Sequence, residues 1–129
     1  MARIWKLKVV TGFASAHTLR DYPGDCRRMH GHNWKVEVEV IAQRLDELGM
    51  GIDFKQIKEV ARREAGRLDH RYLNEIEPFD RLNPTAENIA ADLFARIARE
   101  LDGDHVRVSA VTLWETDTAC VTYSEDNSA

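Results

Sequence analysis

The segment from residue 32 to residue 42 constrains the fold of this chain more than any other part of the sequence. Apolar side chains occupy its even positions and charged ones its odd positions, namely Trp34, Val36, Val38 and Val40 against Lys35, Glu37 and Glu39. Because successive side chains of a strand point to opposite faces, this alternation predicts a β-strand with one buried and one solvated face. A strand of this kind needs a covering layer, which other segments of the chain must supply.

Three more strands and two helices are predicted from similar patterns. Strands are expected at about 3–16, 106–115 and 118–123, and the last two are close enough to form a hairpin. One helix follows Asp53, which suits an N-cap, and another runs from Thr85 to a stop near Gly103. The order ββααββ predicts an α+β fold, with a four-stranded antiparallel sheet and two helices on one face. Bulky side chains on the other face indicate a partner subunit.

Length and charge exclude several classes of protein. The 129 residues fit one domain, expected at 1–124, followed by a flexible tail at 125–129. A net charge of -4 gives no basic excess for nucleic-acid binding. We find neither an apolar run of the ~20 residues that a membrane helix needs nor a signal peptide, so a cytosolic location is expected. Two cysteines do not make a disulfide framework.

Three of the five histidines are predicted to meet at one end of the sheet. His30 and His32 are two residues apart, so in an extended chain they share the face of Trp34. His17 ends the first strand, and antiparallel pairing of the first two strands would bring all three imidazoles together. Three imidazoles suit zinc, copper or nickel, and three protein ligands with one open position are typical of catalytic zinc. The alternative is that His-Gly-His forms a loop and His17 is a surface residue; His105 is interpreted as a surface residue.

Four other residues are candidates for acid–base or binding chemistry. Cys26 lies in a polar loop beside two arginines, where a thiol can act as base or nucleophile, although a fourth zinc ligand or an inert thiol is also compatible. Asp69 next to His70 can orient an imidazole for proton transfer, but a helix end explains the pair equally well. Glu115 can bind a guanidine-like N–H edge, or it is an exposed turn residue. Cys120 is expected to be packed in the core.

These pieces together resemble the family of 6-pyruvoyl-tetrahydropterin and 6-carboxytetrahydropterin synthases. The resemblance covers nearly the whole chain and is carried, in family order, by Ala14-Ser15-Ala16-His17, Cys26-Arg27-Arg28-Met29-His30-Gly31-His32-Asn33, Ile52-Asp53-Phe54, Leu68-Asp69-His70-Arg71-Tyr72-Leu73-Asn74, Asn83-Pro84-Thr85-Ala86-Glu87-Asn88 and Trp114-Glu115-Thr116. Trp34 departs from the Tyr or Phe that the family frequently has after His-Gly-His. Since it is still aromatic, we expect a change in packing without loss of chemistry.

The resemblance implies the site and the assembly. It implies Zn²⁺ on His17, His30 and His32, with Cys26 as the catalytic proton acceptor. Asp69, His70 and Glu115 become partners in proton relay, and Glu115 also anchors the pterin ring. It further implies the tunnelling fold, in which the sheets of several subunits join into a barrel, usually a homohexamer built as a dimer of trimers. Such an assembly would protect the open edges of a four-stranded sheet.

The spacing of the motif points to one branch of the family. Only three residues separate Cys26 from His30, which resembles the bacterial 6-carboxytetrahydropterin synthases of queuosine biosynthesis. The implied substrate is the pterin triphosphate 7,8-dihydroneopterin triphosphate, and the implied products are 6-carboxy-5,6,7,8-tetrahydropterin, acetaldehyde and triphosphate. The alternatives are the pyruvoyl branch, a zinc hydrolase, and a binding module without catalysis. The hydrolase leaves Cys26 and the Asp69-His70 pair unexplained.

Overall fold

The protein consists of a five-stranded sheet with two helices packed against one face. Its computed structural model describes residues 2–24 and 27–125. The strand order in the sheet is β3-β1-β2-β4-β5, and a short 3₁₀ turn (Leu73–Glu75) follows β3. In chain order the elements are β1 (Trp5–His17), β2 (His30–Ala42), α1 (Phe54–Gly66), β3 (Arg71–Tyr72), α2 (Ala86–Leu101), β4 (Val106–Thr116) and β5 (Ala119–Tyr123). The predicted α+β class and its two helices are therefore confirmed.

The prediction of a four-stranded antiparallel sheet is wrong, because β3 adds a fifth strand that runs parallel to β1. This strand has two residues, too few to produce a periodic pattern in the sequence. It forms because the chain that leaves α1 is attached to β1 at Ala14. The Ala14 N–H donates to the Asp69 carboxylate at 2.8 Å, and the His70 N–H donates to the Ala14 carbonyl at 2.6 Å.

The pairing of β1 with β2 places the candidate histidines at one end of the sheet. The two strands are antiparallel and in register over their full length, so Trp5 pairs with Ala42 at one end. At the other end His17 pairs with His30, and Ser15 pairs with His32. Residues directly opposite each other on paired strands project to the same face of the sheet. The inward face of this end is therefore lined with imidazoles.

Both helices pack on the inward face and enclose a single core. The predicted N-caps are confirmed: the Asp53 side chain accepts the Lys55 N–H at 2.9 Å, and Thr85 Oγ1 accepts the Asn88 N–H at 3.2 Å. Such caps satisfy amide groups that have no partner within a helix. The apolar positions of α2 are buried, and Leu93 is 0% exposed. Neither helix in the described part of the chain is long and apolar enough to span a membrane.

Two further predictions concern Cys120 and the end of the chain. The expectation that Cys120 is packed in the core is wrong, because it is exposed on the edge strand β5. It pairs with Trp114 and shares the outer face of the sheet with it, although alternation alone could not say which face of an edge strand is covered. Residues 126–129 of the predicted tail lie outside the described residues. The domain bounds 1–124 stay a prediction.

Replacing Leu93 with Ala tests the contribution of the core. Removal of a fully buried leucine side chain should lower the free energy of unfolding by about 2–5 kcal/mol, because it loses apolar burial and leaves a cavity. The same change at Leu48, which is 81% exposed, is the matched control and should have little effect. Urea denaturation at one protein concentration measures both, and equal effects would contradict the packing described here.

Candidate functional site

Three imidazoles converge at the end of the β1–β2 pair, as predicted. The ring centroids of His17 and His30 are 4.5 Å apart, those of His30 and His32 are 4.8 Å apart, and those of His17 and His32 are 5.2 Å apart. One nitrogen from each ring lies within 4.8 Å of the other two, which is close enough for all three to bind a single metal ion. The alternative of a loop with unrelated histidines is therefore wrong for these residues.

The protonation of His17 follows from its hydrogen bond. Its Nδ1 lies 2.8 Å from the backbone carbonyl oxygen of Pro84, which can only accept, so Nδ1 carries the proton and donates. In a neutral imidazole, Nε2 then has a free lone pair. The ring is completely buried, and no described residue is a hydrogen-bond partner of Nε2. Burial is the main cause that lowers the pKa of His17, so the neutral form with Nε2 free is favoured.

His30 and His32 also present nitrogen lone pairs. His30 Nδ1 donates to the Arg28 carbonyl at 2.8 Å, which leaves Nε2 of that ring free in the neutral form. His32 Nε2 is buried without a hydrogen-bond partner in the part of the chain that the structure describes, and burial is again the first cause that lowers the pKa of this ring. Buried polar atoms without partners are rare in native proteins and call for an explanation. A cation bound between the three rings would satisfy the free nitrogens.

The chemistry of these donors fits a metal centre. Imidazole nitrogens bind zinc, copper, nickel and iron well, whereas magnesium and calcium prefer oxygen ligands. Metal-binding histidines usually donate their second ring N–H to a carbonyl or carboxylate, as His17 and His30 do here. Within the described residues this is the one group of three or more histidine, cysteine or acidic side chains arranged to hold an ion.

Glu115 is the carboxylate nearest to the three imidazoles. Its two oxygens lie 3.8 Å from His17 Nε2 and 3.9 Å from His32 Nε2. It occupies the inward face of β4, the face of Val111 and Leu113, as its position in the alternation predicted. It also lines a cleft of about 560 Å³ between the segment 19–23, the start of α2 and β5. A ligand in this cleft would lie against Glu115, whose oxygens are in turn close to two of the imidazoles.

Trp34 forms the inner wall of the histidine group. It is 2% exposed, and its ring meets those of His17 and His32 edge-on at centroid distances of 5.1 and 5.2 Å. The indole N–H points to the Ser15 carbonyl at 3.4 Å, and Phe13 stacks on the ring at 5.8 Å. This wall keeps water away from the rings on the core side, so a bound ion would be reached from the clefts.

The Asp69–His70 pair is formed and lies beside a second cleft. Asp69 Oδ2 lies 2.9 Å from His70 Nδ1, and its other oxygen accepts the Ala14 N–H. That backbone hydrogen bond is the first cause that lowers the pKa of Asp69, and the bond to His70 is the second. His70 has φ 55°, a left-handed conformation that is uncommon outside glycine. Its ring is largely exposed and lines a cleft of about 470 Å³ together with His32.

Several of the residues predicted for the site lie together in the structure, and one residue that contacts the site was not predicted. His17, His30, His32 and Glu115 come together, and His70 shares a cleft with His32, whereas the catalytic role of each stays a prediction. Cys26, predicted as the proton acceptor, lies outside the described residues. Pro84 was missed, because it acts through its backbone carbonyl and no side-chain pattern announces such a contact.

Comparisons with known proteins show which family the chain resembles. The model of a family described as 6-pyruvoyl tetrahydropterin synthase matches residues 6–126. A Synechocystis protein named 6-carboxy-5,6,7,8-tetrahydropterin synthase is 34% identical, covering 93% of each chain. A Pyrococcus furiosus protein named dihydroneopterin monophosphate aldolase is 36% identical, covering 80% of this chain and 82% of its own. The structure of Caenorhabditis elegans 6-pyruvoyl tetrahydropterin synthase matches with TM-score 0.85 and 25% identity, covering 97% and 98% of the two chains.

Replacing Asp69 with Asn tests the attachment of the β3 segment. The ionised carboxylate accepts the Ala14 N–H and has a lowered pKa, so its stabilisation is present above the ordinary aspartate pKa of about 4 and is lost as the pH falls further. The variant should therefore be less stable than the wild type at pH 6, and the difference should shrink towards pH 3. Urea midpoints measured across this range check the prediction.

Asp104→Asn is the matched control, since this exposed aspartate makes no such backbone contact among the described residues. Its stability difference from the wild type should stay small at every pH. If Asp69→Asn gave a difference that did not change with pH, the hydrogen bond to Ala14 would not be a source of stability.

Proposed function

The chain belongs to the 6-pyruvoyl tetrahydropterin synthase family, and from this premise we propose that it is a zinc-dependent 6-carboxy-5,6,7,8-tetrahydropterin synthase. The observation that carries the proposal is the convergence of three imidazoles next to Glu115, with the Nε2 atoms of His17 and His32 buried and without hydrogen-bond partners among the described residues. Relatives that carry this name span most of the chain at 28% to 38% identity, in some cases as putative members.

The proposed reaction converts 7,8-dihydroneopterin triphosphate and water into 6-carboxy-5,6,7,8-tetrahydropterin, acetaldehyde and triphosphate. A carbon–carbon bond and a carbon–oxygen bond of the substrate side chain break, so the enzyme acts as a lyase. The reduction of the ring is internal, because the electrons come from oxidation of the side chain and no external reductant is needed. The product is an early intermediate of queuosine biosynthesis, to which we assign the enzyme.

The proposed metal site would supply electrostatic stabilisation to the reaction. Zinc bound by His17, His30 and His32 would supply Lewis-acid chemistry to the hydroxyl oxygens of the substrate side chain. The Pro84 and Arg28 carbonyls hold two of the rings in the tautomer that presents Nε2. Trp34 excludes water on the core side, which strengthens electrostatic interactions at the site.

Glu115 is proposed to bind the pterin ring. Its carboxylate borders the 560 Å³ cleft and makes no hydrogen bond among the described residues, so both of its oxygens are available as acceptors. The aminopyrimidine edge of a pterin presents two parallel N–H groups, which match the two oxygens of a carboxylate. Since Glu115 is next to the imidazoles, this pairing would hold the side chain of the substrate near the metal ligands.

Proton transfer is proposed to use Cys26 and the Asp69–His70 pair. A Cys26 thiolate would take a proton from the substrate side chain, since Arg27 and Arg28, which follow it in the sequence, are cations of the kind that favour ionisation of a thiol. His70 would exchange a second proton. The Asp69 carboxylate lies 2.9 Å from His70 Nδ1 and would hold the ring in a fixed orientation.

The family includes other activities, and the chain itself favours one of them. The three-residue spacing between Cys26 and His30 resembles the carboxy branch and argues against the pyruvoyl branch. A zinc hydrolase would give no role to Asp69, His70 or Cys26. The aldolase named for the Pyrococcus furiosus relative is the alternative that the comparisons supply, because its identity to this chain is similar to that of the synthases.

We also propose that the protein assembles as a homohexamer, a dimer of trimers. Two edges of the sheet support this: β5 ends the sheet on one side, and β3 covers β1 on the other side only at Ser15 and Ala16. Open edges tend to pair with other chains. Val10 is 54% exposed on the outer face of the same sheet, where a neighbouring subunit would cover it.

The decisive experiment is incubation of the zinc-loaded protein with dihydroneopterin triphosphate, followed by mass spectrometry of the products. Release of acetaldehyde together with 6-carboxytetrahydropterin is the expected result. Triphosphate release without acetaldehyde would indicate the pyruvoyl activity. Turnover of dihydroneopterin monophosphate but not of the triphosphate would instead support the activity for which the Pyrococcus furiosus relative is named.

The variant Cys26→Ala separates catalysis from metal binding. Loss of a general base should lower the turnover number by about 10²–10⁴-fold, while one zinc ion per chain is retained. Steady-state kinetics and metal analysis of the same preparation measure the two quantities. Loss of zinc from the variant would make Cys26 a fourth ligand and would remove it from the role of base.

The variant His30→Ala tests the metal centre itself. Removal of one of three ligands should abolish stoichiometric zinc binding, because two imidazoles are fewer than the three or four protein ligands that zinc sites use. His105→Ala is the matched control, since His105 follows α2 and is not part of the metal group. Equal zinc content in the two variants, measured after dialysis against a weak chelator, would contradict the site.

A further inference from the structure

The carbonyl of Pro84 holds His17, and it lies in a short segment that is itself fixed. This strap, residues Asn83 to Thr85, connects to the N-terminus of α2. Pro84 is buried, and its carbonyl oxygen accepts the His17 Nδ1–H at 2.8 Å. The position of this one oxygen determines which nitrogen of His17 is protonated and how the ring is turned. Any residue that holds the strap in place therefore acts on a metal ligand.

Two side chains fix the strap from opposite directions. The Asn83 side chain bonds the backbone of Arg20, accepting its N–H at 2.9 Å and donating to its carbonyl at 3.4 Å. Arg20 is three residues after His17, so this contact links the strap to the end of β1. From the other direction, the Asn88 Nδ2–H donates to the Asn83 carbonyl at 2.8 Å. The strap is thus held between β1 and the first turn of α2.

The hydrogen bond of Asn88 is separate from the capping of α2. The backbone N–H of Asn88 donates to Thr85 Oγ1 at 3.2 Å, and this bond forms the N-cap. A residue of any type supplies that backbone N–H. The amide side chain is not needed for the cap, and it reaches back to the Asn83 carbonyl instead. The Asn88 side chain therefore stabilises the strap. It bonds the carbonyl of Asn83, which is one residue before the Pro84 carbonyl that holds His17.

We propose that Asn88 is a positioning residue of the metal centre, which fixes the tautomer and orientation of His17 through the strap. The proposal rests on the metal centre proposed above and extends it to a residue that contacts neither the ion nor the substrate. Groups that orient metal ligands typically change metal affinity 10–100-fold when they are removed. A change of that size is expected for loss of the Asn88 side-chain donor.

The test uses two variants and one control in the full-length protein. Asn88→Ala removes the donor, and Asn88→Asp replaces it with an acceptor of the same shape. An aspartate in the first turn of α2 favours the helix dipole, so this variant retains the stability of the helix. Asp102→Ala is the matched control: it removes a side-chain hydrogen bond, from the Val108 N–H at 2.7 Å, at the far end of the same helix.

Two readouts distinguish positioning from a purely structural role. The first is zinc affinity by chelator competition, which should weaken about 10–100-fold in both Asn88 variants and stay near the wild-type value in Asp102→Ala. The added charge of Asn88→Asp would by itself tighten cation binding, so weaker binding in that variant cannot be electrostatic. The second is long-range ¹H–¹⁵N NMR of the metal-free protein. It should show His17 Nε2 unprotonated in the wild type and a mixture of tautomers in both Asn88 variants.

The proposal is overturned if both Asn88 variants keep the wild-type zinc affinity, or if the His17 tautomer does not change in them. It is also overturned if Asp102→Ala weakens zinc binding as much as they do, since general destabilisation would then explain the loss. A wild-type protein that bound no zinc would defeat the proposed metal centre. The tautomer measurement would still decide the role of Asn88, because it is made without metal.

Discussion

The hydrogen bond from His17 to the Pro84 carbonyl is the interaction on which the candidate site depends most. It joins the end of β1 to the start of α2, two parts of the chain that are 67 residues apart. It also places the proton on Nδ1, so that the buried Nε2 is left with a lone pair and with no partner among residues 2–24 and 27–125. A neutral, oriented and desolvated imidazole is what a transition metal needs from its first ligand, and the fold provides it before any ion binds.

The other parts of the site are arranged around that ring. The β1–β2 register brings His30 and His32 to it, and Trp34 closes the core side. Glu115 borders one cleft and His70 another; His32 lines the cleft of His70, and Glu115 itself lies close to His17 and His32. A carboxylate and an exposed Asp–His pair are thus both close to the imidazoles that could hold a metal ion. This is the arrangement that a proton-transferring lyase on a small, polar substrate requires.

Much of this could be predicted from the sequence, because periodicity fixes the face to which a strand residue points. His30, His32 and Trp34 are two positions apart along one strand, so they were expected on the same face. The alternation in β4 likewise predicted that Glu115 points inward. The helices and their caps followed from Asp53 and Thr85. Periodicity failed for the two-residue strand β3 and for Cys120, whose pattern could not tell a covered face from an exposed one. Because β3 was not predicted, the predicted sheet had four strands where the structure has five.

The sequence by itself determined which side chains share a face, since that depends only on the two-residue period of a strand. It also carried the motifs that resemble the family, and the family match over residues 6–126 confirms them. Only the tertiary structure decided how those side chains are held. Pro84 acts through its backbone carbonyl, and Asn83 and Asn88 act through their side-chain amides. All three belong to the motif at 83–88, but the motif does not say which atoms they contact. Their effect exists only after strands and helix have packed and brought those carbonyls to His17.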